Sequence, residues 1–184
     1  MKQMWNEVVE SGGIASKNHN KFVHKWLKDQ RSLNAEKPVI NMFMGEYNHT
    51  IDTKGRLIIP AKFRESLGEH FVVTQGLDGC VFAYDNNECE IFEKQLQSML
   101  IGKKDTRNFA RFFLARAAEV EVDKQGRILV PSKLREFAGL EKDVVMVGVG
   151  NRVEIWNKDT WEDTVSFDDM EEIAEKMADL GIGI

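Results

Sequence analysis

The sequence predicts an α+β fold in which two copies of one small unit interleave, and three observations carry that prediction. The segment DTKGRLIIPAKFRE, Asp52 to Glu65, recurs as DKQGRILVPSKLRE, Asp123 to Glu136, at a constant offset of 71 residues and without a gap. Seven of the fourteen positions are identical, and three more (Leu57/Ile128, Ile58/Leu129, Ile59/Val130) exchange one aliphatic residue for another. Strand-like alternation precedes each copy, and helix-spaced apolar stripes follow each one.

Within each unit the elements follow in order. Tyr47, His49 and Ile51 alternate with Glu46, Asn48 and Thr50, and Val120 and Val122 with Glu119 and Glu121, which reads as a half-buried strand used twice. The Asp-x-x-Gly that follows is a turn: Asp52 or Asp123 accepts a backbone N–H, and Gly55 or Gly126 takes the position with positive φ. A second strand leaves the turn, Arg56 to Ile59 and Arg127 to Val130, apolar on both faces after the Arg and therefore expected to be covered on both sides. Pro60 and Pro131 suit the first position of a short helix that Gly68 and Gly139 close, with Phe63 and Leu67, or Leu134, Phe137 and Ala138, on its buried side. A hairpin completes each copy, Phe71–Gln75 with Cys80–Tyr84 and Val144–Val149 with Arg152–Trp156. About 43 residues cannot enclose a satisfactory core alone, so the economical arrangement is an intramolecular pseudo-dimer, the two units closing a small barrel about a local two-fold axis.

The remaining segments frame these units. The first repeat is expected over 46–88, linking helices over 89–116, the second repeat over 117–160 and an acidic C-terminal helix over 161–184. Phe92, Leu96, Met99 and Leu100 share a face in the first linking helix, and the second starts near Asp105 with Phe109, Phe112, Phe113 and Ala117 apolar. Met170, Ile173, Met177 and Leu180 form a narrower stripe on the last helix. Residues 1–41 carry seven bases and four acids, and two readings are open for them: an upstream extension before a true start at Met42 or Met44, or a flexible basic arm that adds phosphate contacts.

Composition narrows the function classes. The 184 residues carry a net charge of −5 with a pI near 5.5, 42% hydrophobic and 30% charged, the balance of a soluble globular protein. No apolar run approaches the roughly 20 residues of a membrane-crossing helix, and Glu7, Glu10 and Asp29 interrupt the first thirty, so neither a membrane span nor a secretory signal is expected. Cys80 and Cys89 lack metal-ligand spacing and read as reduced structural thiols; the histidines are scattered at 19, 24, 49 and 70, with His49 facing the barrel. No metal, cofactor or catalytic constellation is indicated. The paired Asp turns superficially match aspartic-protease turns, but Lys54 stands where Gly is needed, and Arg56 and Arg127 keep both carboxylates ionised. The acidic pI speaks weakly against nucleic acid, yet Glu162 to Asp179 hold eight acids and one base, so much of the negative charge belongs to a peripheral tail.

Locally the balance reverses. Each repeated motif holds four bases and two acids: Lys54, Arg56, Lys62 and Arg64, then Lys124, Arg127, Lys133 and Arg135. Lys54 and Arg56 sit at the tip of a turn, from which long cationic side chains reach phosphates or a guanine edge, and a two-fold pair of such tips suits DNA. The competing reading is that Arg56 and Arg127 pair with Asp52 and Asp123 across their own turns. Lys62 and Arg64, two residues apart on a helix, flank Phe63 on opposite sides and rank below the turn residues, as do Lys133 and Arg135. Arg107, Arg111 and Arg116 are assigned to helix packing or subunit contacts.

These same motifs, with MFMGEYNHTID from Met42 and NFARFFLARAAEVEVD from Asn108, resemble the doubled motif of the MraZ family, bacterial transcription regulators of the SpoVT/AbrB swapped-hairpin superfamily; the resemblance spans about 143 residues. It implies two tandem SpoVT/AbrB-like repeats interleaved as a pseudo-dimeric double-psi-like β-barrel with flanking helices. It further implies a cytoplasmic, nucleoid-associated regulator, a repressor, that binds short direct repeats in double-stranded DNA upstream of the division and cell-wall gene cluster, its own gene included. Such a protein assembles as a ring-shaped homo-oligomer and takes no cofactor, small-molecule substrate or membrane. The family's DNA-contact region falls on Lys54 and Arg56 and on the matching Gln125 and Arg127; the second copy departs by carrying Gln125 opposite Lys54, with Lys124 one place earlier. The alternative is an antitoxin-like or scaffolding protein that acts through assembly alone.

Overall fold

Alternation builds the first strand. In β1 (Phe43–Thr50) Phe43 is buried and Tyr47 and His49 are half-buried, while Met44, Glu46, Asn48 and Thr50 face out. Burial lowers the pKa of His49, as desolvation of its charged form requires. The computed structural model describes residues 42–99, 102–164 and 170–179, all within one unit; residues 1–41, Leu100 and Leu180 lie outside the described residues.

After β1 come β2 (Arg56–Ile58), α1 (Ala61–Leu67), β3 (His70–Gln75), a 3₁₀ turn (Leu77–Gly79) and β4 (Val81–Tyr84). Two helices follow, α2 (Asn86–Met99) and α3 (Lys104–Leu114). The second copy then repeats the series as β5 (Ala118–Glu121), β6 (Arg127–Leu129), α4 (Ser132–Phe137), β7 (Asp143–Gly150) and β8 (Val153–Asn157), before α5 (Lys158–Thr164) and α6 (Met170–Asp179). Pro60 and Pro131 cap α1 and α4 one position before the helix proper, and Gly68 takes the φ of +83° that ends α1.

Strand pairing interleaves the copies. The larger sheet runs β1-β7-β8-β4-β3-β5, all antiparallel, and the smaller sheet is β2 with β6. β1 of the first copy pairs with β7 of the second, and β5 of the second pairs with β3 of the first. Exchanging equivalent strands leaves the order unchanged, so a local two-fold axis passes through the Leu57–Ile128 pair of one sheet and the Phe82–Glu154 pair of the other. Thr50 faces Asp143 where Glu121 faces His70, so the second copy runs two residues longer from the start of its short helix to the following strand.

Two apolar layers flank the larger sheet. Val81, Ala83, Val153 and Ile155 point into a core shared by both copies, with Phe43, Leu57, Phe63, Phe71, Ile128, Leu134 and Met146. Their neighbours Phe82, Tyr84 and Trp156 point the other way, to Leu96 of α2 and Ala110 and Phe113 of α3. Thr74 Oγ1 donates to the Phe113 carbonyl at 2.5 Å and ties that helix to the sheet. Cys80 is buried and Cys89 half-buried, both free thiols.

The strands covered on both faces are therefore β4 and β8, and here the expectation for the motif strands fails. Leu57, Ile59, Ile128 and Val130 are buried, but Ile58 is 47% exposed and Leu129 60%. A strand alternates, and nothing among the described residues covers the outer face of the β2–β6 ribbon. The apolar stripe of α6 is likewise largely exposed, with Met170 and Ile173 at its surface and no buried residue.

Candidate nucleic-acid interface

Each motif turn is closed by one carboxylate. Asp52 Oδ1 accepts the backbone N–H groups of Lys54 and Arg56, both at 2.9 Å, and Gly55 N–H returns to the Asp52 carbonyl at 2.9 Å. The second oxygen, Oδ2, receives Arg56 Nε at 2.7 Å and Nη2 at 2.6 Å. Asp123 repeats the pattern: Oδ1 accepts from Gln125 and Arg127 N–H at 2.8 and 3.0 Å, and Oδ2 accepts Arg127 Nε at 2.8 Å and Nη2 at 2.7 Å. The Arg beside each carboxylate holds it well below the usual range, at about 2, so both are ionised. A proton shared between the two carboxylates is incompatible with this arrangement.

The Arg–Asp pairing weighed from the sequence is thus realised, and it orients the guanidinium. The fork occupies the Nε–Nη2 edge of Arg56 and Arg127, and each Nη1 has no hydrogen-bond partner among the described residues. Lys54, Lys124 and Gln125 are exposed at the tips, and Lys62 and Lys133 are exposed on their helices.

The larger surprise is Arg64 and Arg135. Neither is a solvated flank of its helix: each is half-buried and reaches the turn of the opposite copy. A Cβ on Gly55 would lie 2.7 Å from Arg135 Cζ, and one on Gly126 would lie 2.7 Å from Arg64 Nη1. Arg135 Nε donates to the Val130 carbonyl at 3.1 Å, whereas Arg64 Nε is buried without a partner among the described residues. Gly55 and Gly126, at φ +83° and +77°, are needed both for the turn and for this close approach. The backbone joins the same crossing, with Ile59 N–H to Gly126 O at 2.9 Å and Val130 N–H to Gly55 O at 3.0 Å. Helical spacing alone could not find this contact, because the partner glycine lies in the other repeat.

The assembled surface has two symmetric cationic clusters. One gathers Lys54, Arg56 and Arg135 around Asp52, the other Lys124, Arg127 and Arg64 around Asp123, each net +2. Because Leu57 and Ile128 point into the core, Arg56, Ile58, Arg127 and Leu129 share the outer face of the ribbon. The other arginines have local roles: Arg107 donates to the Gly102 carbonyl, Arg111 to Asn108, and Arg116 stacks over Phe137 at 5.9 Å. Among the described residues no group of three or more His, Cys, Asp or Glu is placed to hold a metal ion, and no helix is long and apolar enough to cross a membrane.

Comparison with known proteins agrees with the duplication. A family model described as "MraZ protein, putative antitoxin-like" matches the chain twice, over residues 42–112 and 113–180. The chain belongs to the MraZ family. Among its relatives, the transcriptional regulator MraZ of Lachnoclostridium phytofermentans is 59% identical over 141 residues, covering 77% of this chain and 99% of that protein. The regulators of the same name from Acetivibrio thermocellus and Thermoanaerobacter sp. strain X514 are 59% and 57% identical over 143 residues, covering 77% of this chain and all of theirs. The MraZ family is one of transcriptional regulators, not of enzymes.

Proposed function

We propose that the chain is a sequence-specific DNA-binding transcriptional regulator whose two motif turns hold the DNA. The observation that carries this reading is the antiparallel β2–β6 ribbon, which sets two cationic clusters at its diagonal ends and turns Arg56 and Arg127 onto one outer face. A two-stranded ribbon fits the major groove, and an Arg braced by a carboxylate still offers its free edge to guanine or phosphate. Lys54, Lys124 and Gln125 at the tips contact the backbone; Arg64 and Arg135 brace the turns and add charge, and Lys62 and Lys133 stand behind them.

In this reading the repeats span 46–88 and 117–160, the two sheets together form the closed pseudo-dimeric barrel, and several subunits form a ring. One half-site per subunit binds weakly, and a ring that meets several direct repeats gains through effective concentration. The protein then acts in the cytoplasm at the nucleoid, as a repressor of its own gene and its neighbours.

Titration of the full chain against the duplex from immediately upstream of its gene tests the reading. Affinity should fall steeply with salt, with a slope of about −0.9 per phosphate neutralised. Lys54→Ala/Lys124→Ala should flatten that slope by about two, and Arg56→Ala/Arg127→Ala should relax sequence preference at the base positions those two arginines read. Salt-independent binding, or variants that lose the oligomer and leave DNA affinity unchanged, would favour the scaffolding role instead.

A further inference from the structure

We propose that Ile58 and Leu129 are specificity residues that read thymine C5 methyl groups in the major groove. The inference rests on the DNA-binding reading above and goes beyond it, because the aliphatic pair carries no charge and nothing in the electrostatic argument requires it.

The geometry isolates these two side chains. They are 47% and 60% exposed, while their strand neighbours Leu57 and Ile128 are fully buried. In register, Ile58 stands opposite Arg127 and Leu129 opposite Arg56, so the outer face is a checkerboard of two aliphatics and two arginines about the two-fold axis. The ribbon continues past the paired strands through the Gly55–Val130 and Gly126–Ile59 hydrogen bonds, which places the turn clusters at its two ends. Gly55 and Ile59 lie four residue steps apart along the strand, about 13 Å, close to the roughly 12 Å width of the major groove. With a net +2 cluster at each groove wall, the middle of the ribbon faces the base edges. The one apolar group displayed on those edges is the thymine methyl.

A second copy of the chain is a poorer occupant. Docking two such faces would set each +2 cluster, its ribbon arginine included, against like charge, whereas the phosphate backbone complements both.

Thymine-to-uracil substitution removes the methyl and nothing else. A duplex enriched by the full chain from a randomised library would be remade with deoxyuridine at each thymine in turn. At least one position should lose about fourfold in affinity, the effect of one methyl-sized group leaving apolar contact. Ile58→Ala/Leu129→Ala should bind the thymine duplex about tenfold more weakly and be indifferent to uracil at that position, because the partner of the methyl is gone. Indifference of the unaltered chain to uracil at every position, with steep salt dependence retained, overturns this inference and leaves the DNA reading standing. Failure to enrich any salt-sensitive duplex removes both. A changed oligomeric mass of the double variant in light scattering makes the pair a subunit contact and overturns the assignment.

Discussion

Asp52 and Asp123 each do two things at once: one oxygen caps two backbone N–H groups, and the other fixes an arginine. Their pKa of about 2 lies below the ordinary value of about 3.9, so an unfolded chain binds more protons than the folded one between those limits. The stability they supply is complete above the unfolded pKa and is lost as pH falls through about 2. Urea denaturation should therefore separate the parent chain from Asp52→Asn/Asp123→Asn most at neutral pH. About half of the gap should be gone at pH 3, and the two should converge below about pH 2. A gap of constant size from pH 7 to pH 3 would mean that the forks do not form in solution. The Asp–Arg pairing was legible in the sequence as one of two readings. The seating of Arg135 on Gly55 was not, since no local spacing reports a partner that only the two-fold axis brings near.

At the scale of elements, the Asp, the Gly and the two Arg shared by both motifs belong to one crossing of turn, ribbon and helix. Gly55 must adopt φ +83° and leave room for Arg135, so Gly55→Ala combines backbone strain with displacement of a guanidinium. It should cost about 1–2 kcal/mol by thermal or chemical denaturation. In an Arg135→Ala background the same change should cost about 0.5–1 kcal/mol less, because only the strain remains; a cycle without coupling would show that the arginine does not pack there. The same ribbon shows where pattern reading stops. Three consecutive aliphatics, Leu57 to Ile59 and Ile128 to Val130, fit a strand covered on both faces. That description instead suits β4 and β8, whose alternate residues feed two different apolar layers. Hydrophobicity alone does not distinguish an outer face left exposed from one covered by a helix. Nor did the sequence mark Glu154, buried in β8, where it accepts from Arg152 at 2.7 Å and Trp156 Nε1 at 3.1 Å while Arg152 lies 4.4 Å over Phe82.

For the whole molecule, interleaving makes each half depend on the other. A fragment of residues 42–102 contains β1 without β7, β2 without β6, β3 without β5 and β4 without β8, so every strand retains at most one of its native partners. Its core is also halved, since Leu57 and Phe63 pack among Ile128, Leu134 and Met146 from the second copy. Exposed strand edges and an open apolar face leave such a fragment two outcomes, remaining unfolded or pairing with itself. Because the two copies are related by a two-fold axis, self-pairing is geometrically available, and folding of the fragment should be tied to dimerisation. Its far-UV circular dichroism and light-scattering mass should rise together with concentration. Mixing it with residues 103–184 should yield one-to-one complexes in preference to either homodimer, because α2 meets α3 only in the mixed pair. A folded monomer of either fragment at micromolar concentration would contradict the interleaved topology. The duplication seen in the sequence would then describe two separate domains instead of one shared core.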